Sequence, residues 1–320
     1  MISPRLSKVV SGTRLTTDLL NSMIKRTEYA ADLLQQYKLT AGNQMYIEPH
    51  YDGTRVSYLQ PVGGGTTPTQ PITPPYRIVG IASVGGVTIG YLYNGSTFTN
   101  IIYPGAFSTI PLGIDGQNIV GNAPPTASTF QGFLYNGSFI DIDYPGASSS
   151  SAIGIQGSSI VGAATVGGVG IGYLYNGSTF ASIVFPGASF TNARGIDGSN
   201  IIGIATVAGI NRGYLYNGST FASIVYPGAS FTSALGIQGS SIVGAATVGG
   251  VTIGYLYNGS TFANIIYPGA SLTQAFGVSG SNIVGSATVG GVGIGFLYDG
   301  STFTNIIYPG ATLTNAFAIG

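Results

Sequence analysis

A phrase that recurs through most of the chain constrains its fold more than any other feature. The nine residues GYLYNGSTF stand at 90–98 and return at 172–180, 213–221 and 254–262, with GFLYDGSTF at 295–303. A Tyr-Pro-Gly motif begins at Tyr103, Tyr144, Tyr226, Tyr267 and Tyr308, with Phe185 in the third copy. Successive motifs are equally spaced, and six copies fill residues 76–320. Internal periods of about 20–50 residues are typical of solenoids and propellers.

Each copy contains four short apolar segments separated by turn residues. In the fifth copy these segments are 234–237, 242–246, 253–257 and 262–267, with QGSS, TVGGV and NGS between them. Asn-Gly between apolar runs indicates a type I′ hairpin, in which both central residues have positive φ. Four antiparallel strands in about 40 residues predict one blade of a β-propeller, so we expect a mainly β fold.

The phase of the repeat distinguishes a closed propeller from a solenoid, which is the main alternative. The first copy begins with a second-position strand, YRIVGIA (76–82), and the chain ends with an extra first-position strand, NAFAIG (315–320). Pairing of the two would close a ring of six blades, whereas a solenoid would need capping repeats, of which none is visible. The residues expected to pair are Ile78, Val79 and Gly80 at the start and Ala316, Phe317, Ala318 and Ile319 at the end.

Residues 76–320 resemble the HAF-type extracellular repeat family. The shared phrases are GFLYDGSTFTNIIYPGA (295–311) and a strand of the AFGI type followed by NIVG (282–285). The resemblance implies a surface or extracellular placement and brings no catalytic motif with it.

Composition excludes several classes of function. Only 6% of the residues are charged, against about 25% in an ordinary soluble domain. The net charge is zero, so we expect no general attraction to nucleic acid or to an anionic membrane. Cysteine is absent, which excludes disulfides and thiolate metal sites. No apolar run is long enough to span a bilayer or to form a signal peptide, so we expect a soluble protein with no cofactor, no metal and no membrane insertion.

Residues 1–60 predict a separate anchoring module. A helix is expected over about 15–41, with an apolar stripe for oligomerisation or, alternatively, for packing on its own domain. Asp52-Gly53 predicts a hairpin over about 45–60, and residues 61–75 form a Gly/Pro-rich linker. A helix and one hairpin bury little core alone, which favours an oligomer. The stripe consists of Leu20, Met23, Thr27, Ala30, Leu34 and Tyr37.

This N-terminal module is similar to that of bacteriophage fibre and decoration proteins. The similarity rests on LLNSMIKRTEYAADLL (19–34), the YDGTRVSYLQP hairpin (51–61) and the Gly/Pro-rich linker that follows. It implies a homotrimer that docks on other virion proteins, of the capsid or the tail, through residues 1–60. It also implies synthesis in the host cytoplasm and a final place on the virion surface.

Few residues of the chain are suited to catalysis. His50 is the only histidine and lies outside the repeats, so no Ser-His-Asp triad fits within the propeller. Asp141 and Asp143 alternate on the fourth strand of the second copy, where a carboxylate pair could serve glycoside hydrolysis. The outermost strand is a poor place for such a site, and solvated residues that discourage edge pairing are the preferred interpretation.

Two arginines form the candidate binding site. Arg194 opens the first strand of the fourth copy, and Arg212 opens the third strand of the same copy. We expect both at one end of that blade, where they could bind an anionic sugar. The alternative is that they only make a loop soluble. Asp115 follows the first strand of its copy and is interpreted as a turn residue, although a calcium site is a weaker alternative.

The resemblance of residues 1–60 to phage fibre and decoration proteins, taken with the repeats, implies a virion structural protein that displays a propeller for contact with a host-surface glycan or protein. A bacterial surface or secreted repeat protein that binds a partner protein is the alternative. A glycan-degrading enzyme fits less well, because carboxylates are scarce and histidine is single. We expect no enzymatic activity.

Overall fold

The computed structural model describes residues 44–50, 53–59, 76–124 and 129–320, with the backbone alone in the first two ranges. The chain divides into two compact bodies, an N-terminal body of Met1–Gln70 and a repeat body of Pro71–Gly320. The predicted helix over 15–41, with its oligomerisation stripe, and the linker over 61–75 lie outside the described residues.

The described part of the N-terminal body is a β-hairpin. Strands β1 (Gln44–His50) and β2 (Gly53–Leu59) pair antiparallel, from Gln44 opposite Leu59 to His50 opposite Gly53. The hairpin falls in the segment where Asp52-Gly53 predicts one.

The repeat body contains strands and no helix within its described residues. The first strands are β3 (Ile78–Val84), β4 (Val87–Tyr93) and β5 (Phe98–Ile101). Next come β6 (Ile110–Asp115), β7 (Asn118–Asn122), β8 (Gly132–Tyr135) and β9 (Phe139–Asp141), then β10 (Ser149–Gln156), β11 (Ser159–Val166), β12 (Val169–Tyr175) and β13 (Phe180–Ile183). The following strands are β14 (Phe190–Asp197), β15 (Asn200–Val207), β16 (Ile210–Tyr216) and β17 (Phe221–Ile224), then β18 (Phe231–Gln238), β19 (Ser241–Val248), β20 (Val251–Tyr257) and β21 (Phe262–Ile265). The last are β22 (Leu272–Ser279), β23 (Asn282–Val289), β24 (Val292–Tyr298), β25 (Phe303–Ile306) and β26 (Leu313–Ile319).

These strands pair antiparallel in sets of four, which we call repeat units with strands A to D. Strands β6 to β9 form one such unit, and the units that begin at β10, β14, β18 and β22 follow the same order. In three of the six units strand C also makes one parallel pairing with strand A of the next unit, as at Thr252 opposite Leu272. These three units therefore continue by strand pairing into the next, whereas at the other junctions the described units belong to different sheets.

The C-terminal strand supplies strand A of the first unit. Strand β26 pairs antiparallel with β3, with Ile319 opposite Ile78 and Ala318 opposite Val79. Beyond these pairs, Arg77 and Gly320 exchange two backbone hydrogen bonds of 2.8 and 2.9 Å. Phe317 has no partner in the register because it occupies a β-bulge. The two ends of the repeat body thus lie in one sheet.

The A strands lie side by side on the inside of the repeat body. Strand β6 contacts β10, and contacts follow in order through β14, β18, β22 and β26, after which β26 contacts β6. No individual sheet closes on itself among the described strands. The hydrophobic core lies between the units: Val243 and Ile265 of one unit, for example, pack with Ala275 and Ile283 of the next.

The turns correct one detail of the sequence analysis. The Asn-Gly motif is not a type I′ turn, since Gly95 has φ of 91° but Asn94 does not have positive φ. Instead, the Asn94 side chain accepts hydrogen bonds from the backbone N–H groups of Ser96 and Thr97, at 3.1 and 2.8 Å, which shapes a four-residue loop. The type I′ pattern of two positive φ angles falls at the Gly-Gly pair between strands B and C, for example 57° and 82° at 85–86.

The aromatic residues of the repeated phrase pack between neighbouring units, and we call each such group of rings an aromatic seam. Tyr255 on strand C is fully buried and lies across Gly244 of strand B, where an added Cβ would stand 1.9 Å from the Ser233 carbonyl oxygen. Its hydroxyl donates to that oxygen at 2.9 Å. Its ring meets Phe262 edge to face at 5.2 Å, and Phe262 in turn meets Tyr226 of the preceding unit at 5.1 Å. The phrase is repeated because every seam needs the same set of rings.

Candidate functional site

A cavity lies where the A strands meet, and it is the candidate binding site of the repeat body. We call it the inner cavity. Its volume is about 230 Å³, and its lining comprises three consecutive residues from each of β6, β10, β14, β18, β22 and β26. The lining triplet of β14 is Arg194, Gly195 and Ile196.

A β-bulge in every A strand shapes this cavity. In β14 the register shifts between Ala193 and Gly195, so that Arg194 has no partner on β15. In five of the six A strands a glycine follows the bulge and allows close approach of the next A strand, whereas Ala318 stands there in β26. An added Cβ at Gly236, for example, would stand 2.5 Å from the Phe276 carbonyl oxygen. The bulge residues of the six strands, all of which line the cavity, are Leu112, Ile153, Arg194, Leu235, Phe276 and Phe317.

Arg194 is the only charged residue of this lining. Its Nε atom is buried and has no hydrogen-bond partner among the described residues. Burial lowers the pKa of the Arg194 guanidinium. The hydroxyl of Tyr214, in the same unit, is likewise buried and without a partner among those residues. Burial raises the pKa of Tyr214, and the positive charge of Arg194 partly opposes this shift. The site therefore contains a cation without a visible counter-charge.

Arg212 does not share this site. It lies on β16 opposite Ala205, two strands away from Arg194 within the unit, and it does not line the inner cavity. The sequence-predicted pair is thus divided, with Arg194 in the cavity and Arg212 on a partly exposed strand C.

The turns between strands A and B carry a second set of polar residues that join neighbouring units. Asp115 accepts a hydrogen bond from the backbone N–H of Gly157, one unit further on, at 2.6 Å. Asp197 accepts one from Gly239 at 2.6 Å, and the Gln156 side chain donates to Asp197 at 2.6 Å. Asp and Gln are interchangeable here because either can accept from the next backbone. These contacts give the turn aspartates a structural role.

Asp141 and Asp143 have separate partners. Asp141 accepts a 2.6 Å hydrogen bond from the hydroxyl of Tyr103. This bond, with burial as a smaller cause, raises the pKa of Tyr103 to about 12. Asp143 accepts from the backbone N–H of Gly132 at 3.2 Å. Burial raises the pKa of Asp143, although the bond from Gly132 opposes the shift. Neither carboxylate lines the inner cavity.

The Tyr103 contact belongs to a series that sequence reasoning missed. The tyrosine of each Tyr-Pro-Gly motif bonds to a strand D side chain of the next unit, as Tyr226 does to Asn264 at 2.6 Å. The last of them, Tyr308, donates to Asn100 of the first unit at 2.7 Å. Only the third copy, with Phe185, lacks the hydroxyl. The repeat could have revealed this series, because each tyrosine except Tyr308 lies 38 residues before the strand D residue to which it bonds in the next copy.

The two ends of the repeat body differ in polarity. We call the end with the A–B turns and C–D loops the loop end, and the end with the B–C turns and D–A connections the connection end. Among the described residues, the exposed large apolar side chains lie at the connection end, apart from Ile140 on β9. They are Val87, Ile102, Phe107, Phe130, Val169, Val184, Phe190, Ile210, Val225, Val251, Ile266, Val292 and Ile307.

Other kinds of site are not found in the described part of the chain. It contains no group of three or more His, Cys, Asp or Glu residues that could bind a metal ion. It also contains no helix that is long and apolar enough to cross a membrane. The side chain of His50 lies outside the described structure.

Comparison with known proteins identifies the fold but not the family. No family model matches the sequence. A search of curated proteins finds no relative. Among solved structures, a chain of the nidogen–laminin complex is similar with a TM-score of 0.54 and 11% identity, over 76% of this chain and 97% of that chain. The β-propeller domain of the trilobed protease from Pyrococcus furiosus, which has an open velcro topology, gives 0.51 and 13%, over 84% and 88%. The SapL1 lectin, solved with alpha methyl fucoside, gives 0.50 and 12%, over 73% and 97%. These likenesses support a β-propeller fold.

Proposed function

We propose that residues 76–320 form a closed six-bladed β-propeller of the HAF repeat type that acts as the non-catalytic binding head of a bacteriophage virion structural protein. Each repeat unit is one blade. The pairing of β26 with β3 and the contact of β26 with β6 support closure of the ring. The hydrogen bond from Tyr308 to Asn100 continues the inter-unit series across the same junction.

The observation that carries the binding role is the polarity of the two ends. In every blade but the second, one apolar side chain after strand D is half-exposed or more, from 50% at Val225 to 68% at Ile102. The residues that follow the B–C turns add a further set, with Val251 at 53%. Exposed apolar residues that recur at one end of a protein favour an interaction site there over the opposite end. Strand β3 begins and strand β26 ends at the loop end, where Tyr76 and Gly320 lie. The first and last described residues of the repeat body therefore do not lie at the connection end.

The positions of the carboxylates support a binding role over a catalytic one. The described repeat body has five carboxylate side chains, and each accepts a hydrogen bond from within its own unit or from a neighbouring unit. None of the five lines the inner cavity. Glycoside hydrolysis needs two carboxyl groups that flank a bound sugar. Asp141 and Asp143, the nearest to such a pair, lie on the outermost strand and beyond it.

The virion assignment is supported by the N-terminal sequence features and by the described hairpin of β1 and β2. A homotrimer would present three heads, and weak individual contacts would then be multiplied by their number. The partner on the host surface is a glycan or a protein. The similarity to the SapL1 lectin, which was solved with alpha methyl fucoside, is consistent with a glycan.

The virion role can be tested by labelling intact phage particles with an antibody to residues 76–320. We expect regular labelling on the particle surface. Purified particles that contain no trace of the protein by mass spectrometry would contradict the assignment.

The binding face can be tested by adsorption of particles to host cells. We expect Val225→Ser combined with Ile266→Ser, at the connection end, to slow adsorption at least tenfold. A matched control combines Ser199→Ala with Ser240→Ala, which are exposed at the loop end. The proposal fails if the two double variants adsorb equally well, or if only the loop-end variant is impaired.

A further inference from the structure

The inner cavity has the composition of a ligand site rather than of a packed core. Five of the six bulge residues that line it are apolar, and two of them, Phe276 and Phe317, meet edge to face at 5.2 Å. A dry cavity of about 150 Å³ with Leu, Ile and Phe walls is large enough to bind benzene. The inner cavity, at about 230 Å³, has room for one aromatic ring and a polar substituent.

A single cation in such a cavity needs an explanation. Arg194 is partly buried, and burying a polar atom of a charged group is unfavourable unless that atom is paired. The Nε atom of Arg194 has no partner among the described residues, and no described carboxylate lines the cavity. The other units have Leu, Ile or Phe at this position, so the fold does not require an arginine. The guanidinium is thus poised to meet a charge that enters from outside.

We propose that the inner cavity is a binding site for a small carboxylate with an apolar body, and that Arg194 anchors the carboxylate. A guanidinium presents two parallel N–H donors that match a carboxylate. The apolar body would lie against Leu112, Leu235, Phe276 and Phe317. An acidic sugar, the ligand first considered for Arg194, fits less well, because it offers no apolar body to the Leu and Phe side chains of this lining.

This site goes beyond the proposed binding head, and the two share the closed ring but no residue of the proposed sites. None of the exposed apolar residues of the connection end lines the inner cavity. Variants of the cavity should therefore leave adsorption of particles unchanged, and variants of the connection end should leave carboxylate binding unchanged. Failure of one proposal can thus be distinguished from failure of the other.

The experiment is a titration of the full-length chain with benzoate, followed by isothermal calorimetry or by NMR. We expect saturable binding with a dissociation constant on the order of 1 mM or tighter, as the small size of benzoate allows. Benzamide, a neutral molecule of the same shape, should bind at least tenfold more weakly. Glucuronate should also bind at least tenfold more weakly, because its body is polar.

Variants locate the binding to Arg194. Arg194→Leu should weaken benzoate binding at least tenfold and should fold, since Leu112 and Leu235 occupy the equivalent position in other units. Arg194→Lys should retain part of the affinity, because it keeps the charge but not the paired donors. Arg212→Leu, in the same unit but outside the cavity, is the matched control and should bind like the wild type. The proposal is overturned by an absence of benzoate binding at about 10 mM, by equal binding of benzamide, by stronger binding of glucuronate, or by unchanged binding to Arg194→Leu.

Discussion

Replacement of Arg194, a partly buried residue, by leucine should stabilise the unliganded protein, which is the reverse of the usual effect of a substitution at such a position. The Nε atom is buried without a partner among the described residues, and burial lowers the pKa of the guanidinium. A buried unsatisfied polar group costs about 1–3 kcal/mol. Leucine removes that cost and places an apolar side chain against Leu235 and Phe276, which line the same cavity. We therefore expect Arg194→Leu to raise the free energy of unfolding by about 1–3 kcal/mol.

Thermal and urea denaturation of the full-length chain measure this effect. For a domain of this size, each kcal/mol corresponds to about 2–4 °C in the melting temperature. The urea concentration at the midpoint of unfolding should rise. The slope of the free energy of unfolding against urea concentration should stay unchanged, because the same surface is exposed on unfolding. Arg212→Leu is the control and should change stability by less than about 0.5 kcal/mol. A lower melting temperature for Arg194→Leu would show that the guanidinium makes stabilising contacts, and the reasoning about the cavity would be refuted.

Three further variants test contacts within single repeat units, two by their packing and one by the pH dependence of stability. Gly244→Ala should destabilise the protein by at least about 1–3 kcal/mol in urea denaturation, because the new Cβ would lie 1.9 Å from the Ser233 carbonyl oxygen; wild-type stability would contradict the close approach. Tyr255→Phe should cost about 1 kcal/mol in the same assay, since it removes the 2.9 Å hydrogen bond to Ser233 and keeps the ring; a loss above about 3 kcal/mol would mean that the ring itself had moved. Asp143→Asn tests the pH dependence of stability. Burial raises the pKa of Asp143 in the folded state. Just above the ordinary carboxyl pKa of about 4, the folded protein therefore binds more protons than the unfolded chain does. Wild-type stability should then fall as pH rises through that window, whereas the variant should show a smaller fall; identical pH profiles would exclude the shift.

Much of the fold can be predicted from the sequence because the repeat fixes the spacing of strands and turns. Gly-Gly and Asn-Gly pairs mark the ends of strands whether or not the turn type is assigned correctly. The type I′ assignment to Asn94-Gly95 was wrong because the asparagine side chain accepts hydrogen bonds from two backbone N–H groups and makes a longer loop. These hydrogen bonds from backbone N–H groups to the asparagine side chain change the turn only, so the strands on either side are still predicted correctly.

The candidate site could be predicted only in part. Arg194 stood out because Leu235 and Phe276 occupy its position in other copies. Its place in a cavity depends on a β-bulge that turns one residue of each A strand inward, and no residue pattern in a single copy signals that bulge. Arg212 was expected two strands from Arg194 at the same end of the unit, but it lies opposite Ala205 and does not line the inner cavity. The polarity of the two ends was also missed, because exposure of Val225 or Ile266 depends on how the blades are arranged.

Closure of the ring is the claim on which both proposals depend, and a cysteine cross-link tests it most directly. The chain has no cysteine, so a pair introduced at Ala82 and Thr314, which lie opposite each other in the β3–β26 register, has no competitor. Paired strand residues lie about 4.5–5.5 Å apart, within the range for a disulfide. We expect Ala82→Cys with Thr314→Cys to form an intramolecular disulfide under mild oxidation, with a mass loss of about two hydrogens. The control is Ala82→Cys with Thr273→Cys, the equivalent position one repeat earlier, and it should stay reduced. Free thiols in the folded Ala82→Cys/Thr314→Cys protein, or a cross-link in the control, would contradict a propeller closed by its last strand.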